Sequence, residues 1–432
     1  MKTTIALLAC LVFLTGIVSG FAQTATVMPS IPTWWGHSWG IGARDMGMGG
    51  AATAVGGDYS ALYYNPAGLG TIQRKEMYGT LSRLSASNEA NFLGQYNTEN
   101  TALMGMNSVG FSFPLPTARG SMVFSFGYNR VRQFDNTLFA TAFISTPRDS
   151  VDWNNSQTTK GWMSNTALGG AVEVSPGIFL GGSLQFWGGK NDFTWLFQEM
   201  DPFNLFTFSQ FDSTDHILTT FSGVNLSLGG LFKSNHLSIG GTLSTPYVLK
   251  CSEDWNYRDV TTWDKDIGTP ADVVSDQGKF EYKISIPMSF RAGAALTFGP
   301  VLVSGDVEIV NFNQMEYTTD PSIESLDKTM ANLAIQRNLR NTINYRFGGE
   351  LSIPNSPAKL RAGYALIQTP FKNLSYEKDR KVLSFGAGYA FSERIVLDVG
   401  YAKTDWTGAP DNLIFWDTVK SSQILASVSF RL

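Results

Sequence analysis

The sequence predicts an all-β fold: a transmembrane antiparallel β-barrel of about fourteen strands with an N-terminal plug inside its lumen. Three observations carry this. Apolar and polar residues alternate with period two through most of the chain. The connections between those segments are alternately tight and long. Beyond the N-terminal leader, no apolar run approaches the roughly 20 residues that a spanning helix needs. Composition agrees, because strands with one lipid face and one water face average out. The 432 residues hold 43 Gly, 30 Phe, 15 Tyr and 11 Trp at a mean hydropathy of −0.05.

The N-terminus supplies an export route. Lys2 is the sole charge before an apolar run from Ile5 to Val18, and small residues lead to Gly20-Phe21-Ala22, so residues 1–22 read as a signal peptide cut before Gln23. Cys10, preceded by Leu8-Ala9, is a poor lipoprotein acceptor, because it would leave a stunted apolar region. Removal of the leader leaves Cys251 alone, which excludes an intrachain disulfide or a thiolate metal cluster.

Residues 23–73 lack sustained alternation and are rich in Gly, Ala and Trp, including Trp34-Trp35, Trp39, Gly47-Met48-Gly49-Gly50 and Tyr63-Tyr64-Asn65-Pro66-Ala67-Gly68. A barrel of this size encloses more space than its own side chains fill. Small residues let a segment lie close against strand backbones, so this stretch is the expected plug, and residues 74–432 are the expected barrel. Gly47 to Ala52 formally resembles a dinucleotide fingerprint, but no apolar strand precedes it and no βαβ unit follows.

The strands are expected near 75–86, 107–115, 119–134, 164–174, 178–190, 217–232, 237–249, 279–296, 301–312, 341–353, 358–367, 380–391, 395–405 and 421–432. In one of them Leu237, Ile239, Gly241 and Leu243 oppose Ser238, Gly240, Thr242 and Ser244; in another Ile343, Tyr345, Phe347 and Leu351 oppose Asn344, Arg346 and Glu350. Charges thus fall on the lumen face. Tight turns are expected at Pro116–Ala118, Ser175–Gly177, Lys233–His236, Gly299-Pro300, Pro354–Pro357 and Ser392–Arg394. The intervening stretches, including 87–106, 135–163, 191–216, 250–278 and 313–340, read as long extracellular loops. The closing strand presents Ile424, Ala426, Val428, Phe430 and Leu432 on one face, a pattern that barrel-assembly machinery reads; the terminal residue is Leu432 rather than the usual aromatic.

Two stretches resemble a known family. Ala43-Arg44-Asp45-Met46-Gly47-Met48-Gly49-Gly50 with Asp58-Tyr59-Ser60-Ala61-Leu62-Tyr63-Tyr64-Asn65-Pro66-Ala67-Gly68-Leu69 is similar to the N-terminal hatch of the FadL/TodX family of outer-membrane transporters for hydrophobic compounds. Leu360-Arg361-Ala362-Gly363-Tyr364, Leu383 to Tyr389 and Asp398-Val399-Gly400-Tyr401 resemble that family's C-terminal strands. The resemblance implies a fourteen-stranded barrel plugged by its N-terminal segment, and diffusion of long-chain fatty acids or other apolar molecules through wall or lumen; in that hatch Asn65, Pro66, Ala67 and Gly68 read as a tight turn or as a gate whose shift opens a path. Related barrels with similar hatches act as shuttles or scaffolds for secreted proteins, which is the alternative reading.

Candidate ligand-binding residues fall into two sets. Phe193, Trp195, Leu196 and Phe197, followed by Phe203, Leu205, Phe206 and Phe208, are unusually apolar for an external loop. They read as a capture surface for an acyl chain, at about 0.8 kcal/mol per buried methylene. The bland alternative is that adjacent strands extend above the membrane and these residues form a girdle or small core. The inward Arg291, Arg346 and Arg361, with Asp306, Glu308, Glu350 and Asp398, either anchor a carboxylate or neutralise one another. A helix over Ser322–Leu339, with Ile323, Leu326, Met330 and Leu333 on one stripe, is expected over the mouth.

Other classes are disfavoured. A net charge of −4 gives no basic field for nucleic acid. His37, His216 and His236 have no zinc spacing, and no cofactor is expected. Asp212, Ser213, Asp215 and His216 form the single crude cluster for a barrel hydrolase, better read as a solvated loop end. The expected partners are a hydrophobic small molecule, outer-membrane lipids and the assembly machinery, and the expected state is a monomer.

Overall fold

The computed structural model describes residues 40–432 apart from 93–94, 147–148, 265–269, 323–326, 373–378 and 409–414. The expected leader with Cys10, and the stretch holding Trp34, Trp35, His37 and Trp39, lie outside the described residues.

A strand with one apolar face cannot rest in lipid with its backbone unpaired, so the sheet must close on itself. It does: one antiparallel sheet of fourteen strands forms a closed barrel. The strands are β1 (Glu76–Phe92), β2 (Gln95–Leu115), β3 (Met122–Gln133), β4 (Asp149–Ser175), β5 (Ile178–Met200) and β6 (Phe208–Lys233). Next come β7 (Leu237–Ser244 and Tyr247–Trp263) and β8 (Asp272–Ile286 and Ser289–Phe298). Then follow β9 (Val301–Asn311), β10 (Asn341–Ser352), β11 (Ala358–Ile367), β12 (Arg380–Ala390), β13 (Ile395–Gly408) and β14 (Phe415–Arg431). Pro246 and Pro287 stand at the interruptions of β7 and β8, where a residue without an N–H cannot continue the ladder. Pairing of β1 with β14, from Glu76↔Arg431 to Phe92↔Phe415, shuts the cylinder.

The faces follow the alternation of the sequence. Val224, Leu226, Leu228 and Phe232 are exposed on the outside, whereas Asn225 and Ser227 are buried inside. Ile343, Phe347 and Leu351 alternate in the same way with Asn344 and Glu350. No helix among the described residues is long and apolar enough to cross a membrane. A closed barrel with this apolar exterior is the architecture of an outer-membrane protein.

The tight turns lie where the sequence places them, but most of the expected long loops are strand. β4, β5 and β6 run for 27, 23 and 26 residues, against the roughly 9–11 needed to cross the hydrocarbon. The surplus rises beyond the membrane as a continuous wall, so 149–163, 191–200 and 208–216 are ladder rather than loop. An additional strand, Asn136–Thr146, folds back onto β4 and packs Leu138 and Ala140 against Ala90 and Phe92 of β1.

The mouth helix is present but shorter, α3 (Lys328–Asn338), with Asp327 accepting from the Met330 amide at 2.8 Å as its N-cap. Its inward stripe is not the expected one. Ala331, Ile335 and Leu339 are buried among Phe312, Met315 and Tyr317, while Met330 and Leu333 are exposed. The inward face is set by packing on Phe312, Met315 and Tyr317, which the sequence pattern of the helix does not contain; Ile323 and Leu326 lie outside the described residues.

Candidate functional site

Residues 40–75 lie against the inner face of the barrel. Helices α1 (Ala43–Gly47) and α2 (Ala61–Tyr64) and a 3-10 turn (Pro66–Thr71) are too short to be stable alone. They are held by bonds to distant strands. The Ala43 amide donates to Ser427 Oγ at 2.9 Å, the Gly49 amide to Ser384 Oγ at 3.0 Å, and the Thr53 amide to Asp306 Oδ2 at 2.9 Å. Close approach requires bare strand backbone, and a Cβ at Gly363 would collide with Gly49 and Met48.

Asn65 does more than make a turn. Its Nδ2 donates to Thr53 O at 2.8 Å and to Gly230 O of β6 at 3.1 Å, and its Oδ1 accepts from the Ala67 amide at 3.1 Å. One side chain thus caps the 3-10 turn, ties the segment to itself and fastens it to the wall. Pro66 opens that turn, where its missing N–H costs nothing. Ala67 is buried against Phe179 and Leu231, and Gly68 lies 3.1 Å from where a Cβ at Gly56 would stand.

The inward charges form two networks. In the first, Glu350 accepts from Arg361 Nε at 2.8 Å, Arg44 Nε at 3.3 Å and Lys359 Nζ at 2.6 Å. Arg361 also meets Asp398 at 2.6 Å, and Arg44 meets Asp58 at 3.2 Å. The Arg361 side chain is only 2% exposed, so its donors are committed to the wall. In the second network Glu308 accepts from Arg291 Nε at 2.6 Å, Arg346 Nη2 at 2.7 Å and Asn344 Nδ2 at 3.1 Å. Arg291 and Arg346 retain 19% and 15% exposure, and that exposure is to a cavity.

The cavity, of about 210 Å³, lies in the lumen with the N-terminal segment as its floor. Ile41, Met46, Tyr63 and Tyr64 face it from below. One wall is apolar, built from Met163, Trp187, Tyr247, Ile286 and Phe312, with the Trp187 and Tyr247 rings stacked at 5.9 Å. The other is polar, built from Arg291, Glu308, Asn344 and Arg346. Trp187 Nε1 donates to Asn225 Oδ1 at 2.8 Å, which fixes the indole plane. The guanidinium of Arg291 lies 5.6 Å from the Tyr63 ring and 5.9 Å from the Tyr64 ring, joining wall to floor.

The aromatic set from Phe193 to Phe208 is not one surface. Phe193, Trp195, Leu196 and Phe197 are strand residues of β5, Phe203, Leu205 and Phe206 belong to the turn after it, and Phe208 begins β6. This corrects the loop placement of Phe193, Trp195, Leu196, Phe197 and Phe208, whereas Phe203, Leu205 and Phe206 do lie in the connection. Phe197 is buried between Trp153 and Trp195, at ring distances of 5.7 and 5.8 Å, and Trp195 Nε1 donates to Asn155 Oδ1 at 2.9 Å. Leu196 points outward, and Phe203 and Leu205 are exposed at the tip. None of the eight lines the cavity. Glu308, named among the inward charges, does, and so do Trp187, Tyr247 and Met163, which the sequence did not single out; the available signal was a large apolar side chain at an inward position, as Trp187 is between inward Gln185 and Gly189.

The wall is incomplete at one place. The β2–β3 ladder ends at Ser108↔Asn129, although β2 continues to Gln95 and β3 to Gln133. On its other edge β3 shifts register against β4 between Arg130 and Arg132, and a crevice lined by Leu84, Met104, Gly105, Arg130 and Gln133 lies beside the break. Ser213 and His216, the hydrolase residues, sit on opposite faces: Ser213 Oγ donates to Asp259 at 2.7 Å and His216 meets Asp192 at 2.9 Å. They do not converge.

No protein-family model and no curated protein matches the chain. Solved structures do. A FadL homologue of Pseudomonas aeruginosa superposes with a TM-score of 0.64 at 13% identity over 92% of this chain and 99% of that one. The toluene transporter TodX of P. putida gives 0.64 at 13% over 91% and 99%, and the CymD monoaromatic hydrocarbon channel gives 0.55 at 16% over 91% and 97%. At such identities the likeness is one of architecture, and in architecture this chain has the fold of the FadL homologue and the TodX-type hydrophobic-compound channels.

Proposed function

We propose that the barrel passes hydrophobic small molecules across the outer membrane by facilitated diffusion, and that residues 23–73 act as its hatch. The observation that carries this reading is the lumenal cavity with an aromatic wall, floored by the N-terminal segment. Such a site binds by burial of apolar surface and needs no energy source. The resemblance in fold to structures described as toluene transporters and a monoaromatic hydrocarbon channel supports the same cargo class. Size favours compact molecules: an engineered apolar cavity of roughly 150 Å³ holds benzene, so about 210 Å³ accommodates a substituted ring whole. A long-chain fatty acid would extend upward along the inward Phe193, Trp195 and Phe197, with the tip residues Phe203, Leu205, Phe206 and Phe208 as first contact.

In this reading Asn65 to Gly68 are the gate, since Asn65 fastens the floor to the wall, and the break between β2 and β3 is the exit toward lipid. Arg291 and Arg346 belong to the site and Arg361 to the framework. The leader at 1–22 directs export, and the apolar face of β14 serves assembly of a monomer.

Uptake of radiolabelled toluene and laurate by cells that do or do not produce the protein tests the reading. Faster uptake of toluene, lost on Trp187→Ser with barrel folding intact, is the expected result. Equal uptake with and without the protein for both compounds would falsify it.

A further inference from the structure

Resting on that reading, we infer that among the hydrophobic molecules it admits the cavity prefers an oxygen-bearing aromatic to a plain hydrocarbon, held by the spare donors of Arg291 and Arg346. A site evolved for hydrocarbon has no use for charge, because each buried guanidinium loses hydration that an apolar ligand cannot replace. Yet the polar wall places two arginines on one carboxylate. Arg291 spends Nε and Nη2 on Glu308 Oε1, and Arg346 spends Nη2 on Glu308 Oε2. A guanidinium has five N–H donors, so both retain donors on a surface open to the cavity.

The surrounding groups decide which oxygen they would take. Asp306 binds the Thr53 amide beneath the floor. Glu308 lies between the arginines with Asn344 on its second oxygen. Arg132 lines the cavity as well, so cations outnumber the one carboxylate of Glu308 there, and an oxygen acceptor on the ligand gains donors that a hydrocarbon cannot use. In the same cavity the stacked Trp187 and Tyr247 rings offer a flat apolar surface for an aromatic body. Rings and arginines together define a molecule with an aromatic body and an oxygen acceptor. A hydrogen bond to a charged donor inside a cavity separates such a molecule from its deoxygenated counterpart by about tenfold or more.

Acetophenone and α-methylstyrene have nearly the same shape and differ in carbonyl oxygen against methylene. Binding of each to the purified full-length protein in detergent is read from Trp fluorescence and by calorimetry. Acetophenone is expected to bind about tenfold tighter or better. In Arg346→Met the ratio of the two affinities should fall to about one, with the barrel still folded by heat-modifiable gel mobility; Arg291→Met serves as the second variant should the first fail to fold. Equal binding of the two by the unaltered protein, or a preference that survives both variants, overturns the inference while leaving hydrophobic transport standing. Binding of neither removes the inference and the cavity as the transport site together.

Discussion

At the residue scale, the inward charges divide by what they touch. Glu350 is buried with Arg44, Lys359 and Arg361 around it, so it links the N-terminal segment to β10 and β11. Glu350→Ala would leave buried cations uncompensated, at a cost of about 3–5 kcal/mol. Denaturant unfolding followed by gel mobility should show a clear loss of stability; an unchanged midpoint would contradict the network. Arg361→Ala should act in the same way on stability and leave ligand affinity alone, since the side chain is closed off from the cavity. An affinity loss without a stability loss would return Arg361 to the binding site. Which arginines face the cavity was not legible in the sequence. Arg291, Arg346 and Arg361 share the same inward parity, and what separates them is the neighbour across the sheet, which depends on register.

At the element scale, the strands inside the hydrocarbon were readable because lipid and lumen impose opposite polarity on successive residues. The register of Leu228, Leu226 and Val224 outward against Ser227 and Asn225 needed no structure to be seen. The extensions above were not readable. Asn154-Asn155-Ser156-Gln157-Thr158-Thr159-Lys160 is ladder in β4, yet its side chains are polar at every position, so no alternation marks it. The aromatic residues that follow in β5 then read as loop. Phe197 is now a core residue, and Phe197→Ser should remove about 3 kcal/mol of packing from the upper wall. Limited proteolysis of the turn after β5 should accelerate in that variant and not in Leu196→Ser; equal rates would argue against a packed upper wall. For α3, Ile335→Asp should release the helix to protease, and Met330→Asp should not. A reversed order would restore the stripe expected from sequence.

At the scale of the whole molecule, closure and occupancy of the cylinder set what it can conduct. Closure was legible, since an even number of amphipathic strands with both ends on the short-turn side allows no free edge in lipid. The cavity was not, because it arises where β3, β5, β7 and β9 face the floor residues Tyr63 and Tyr64, a meeting of positions far apart in the chain. A barrel floored in this way should exclude hydrated solutes while passing molecules that strip off water at little cost. Permeability of proteoliposomes containing the full-length protein tests this most directly, with a labelled monoaromatic compound and a sugar of similar size compared in the same vesicles. The account predicts faster entry of the aromatic compound and no faster entry of the sugar. Rapid sugar entry, or aromatic entry no faster than in vesicles lacking the protein, would contradict it.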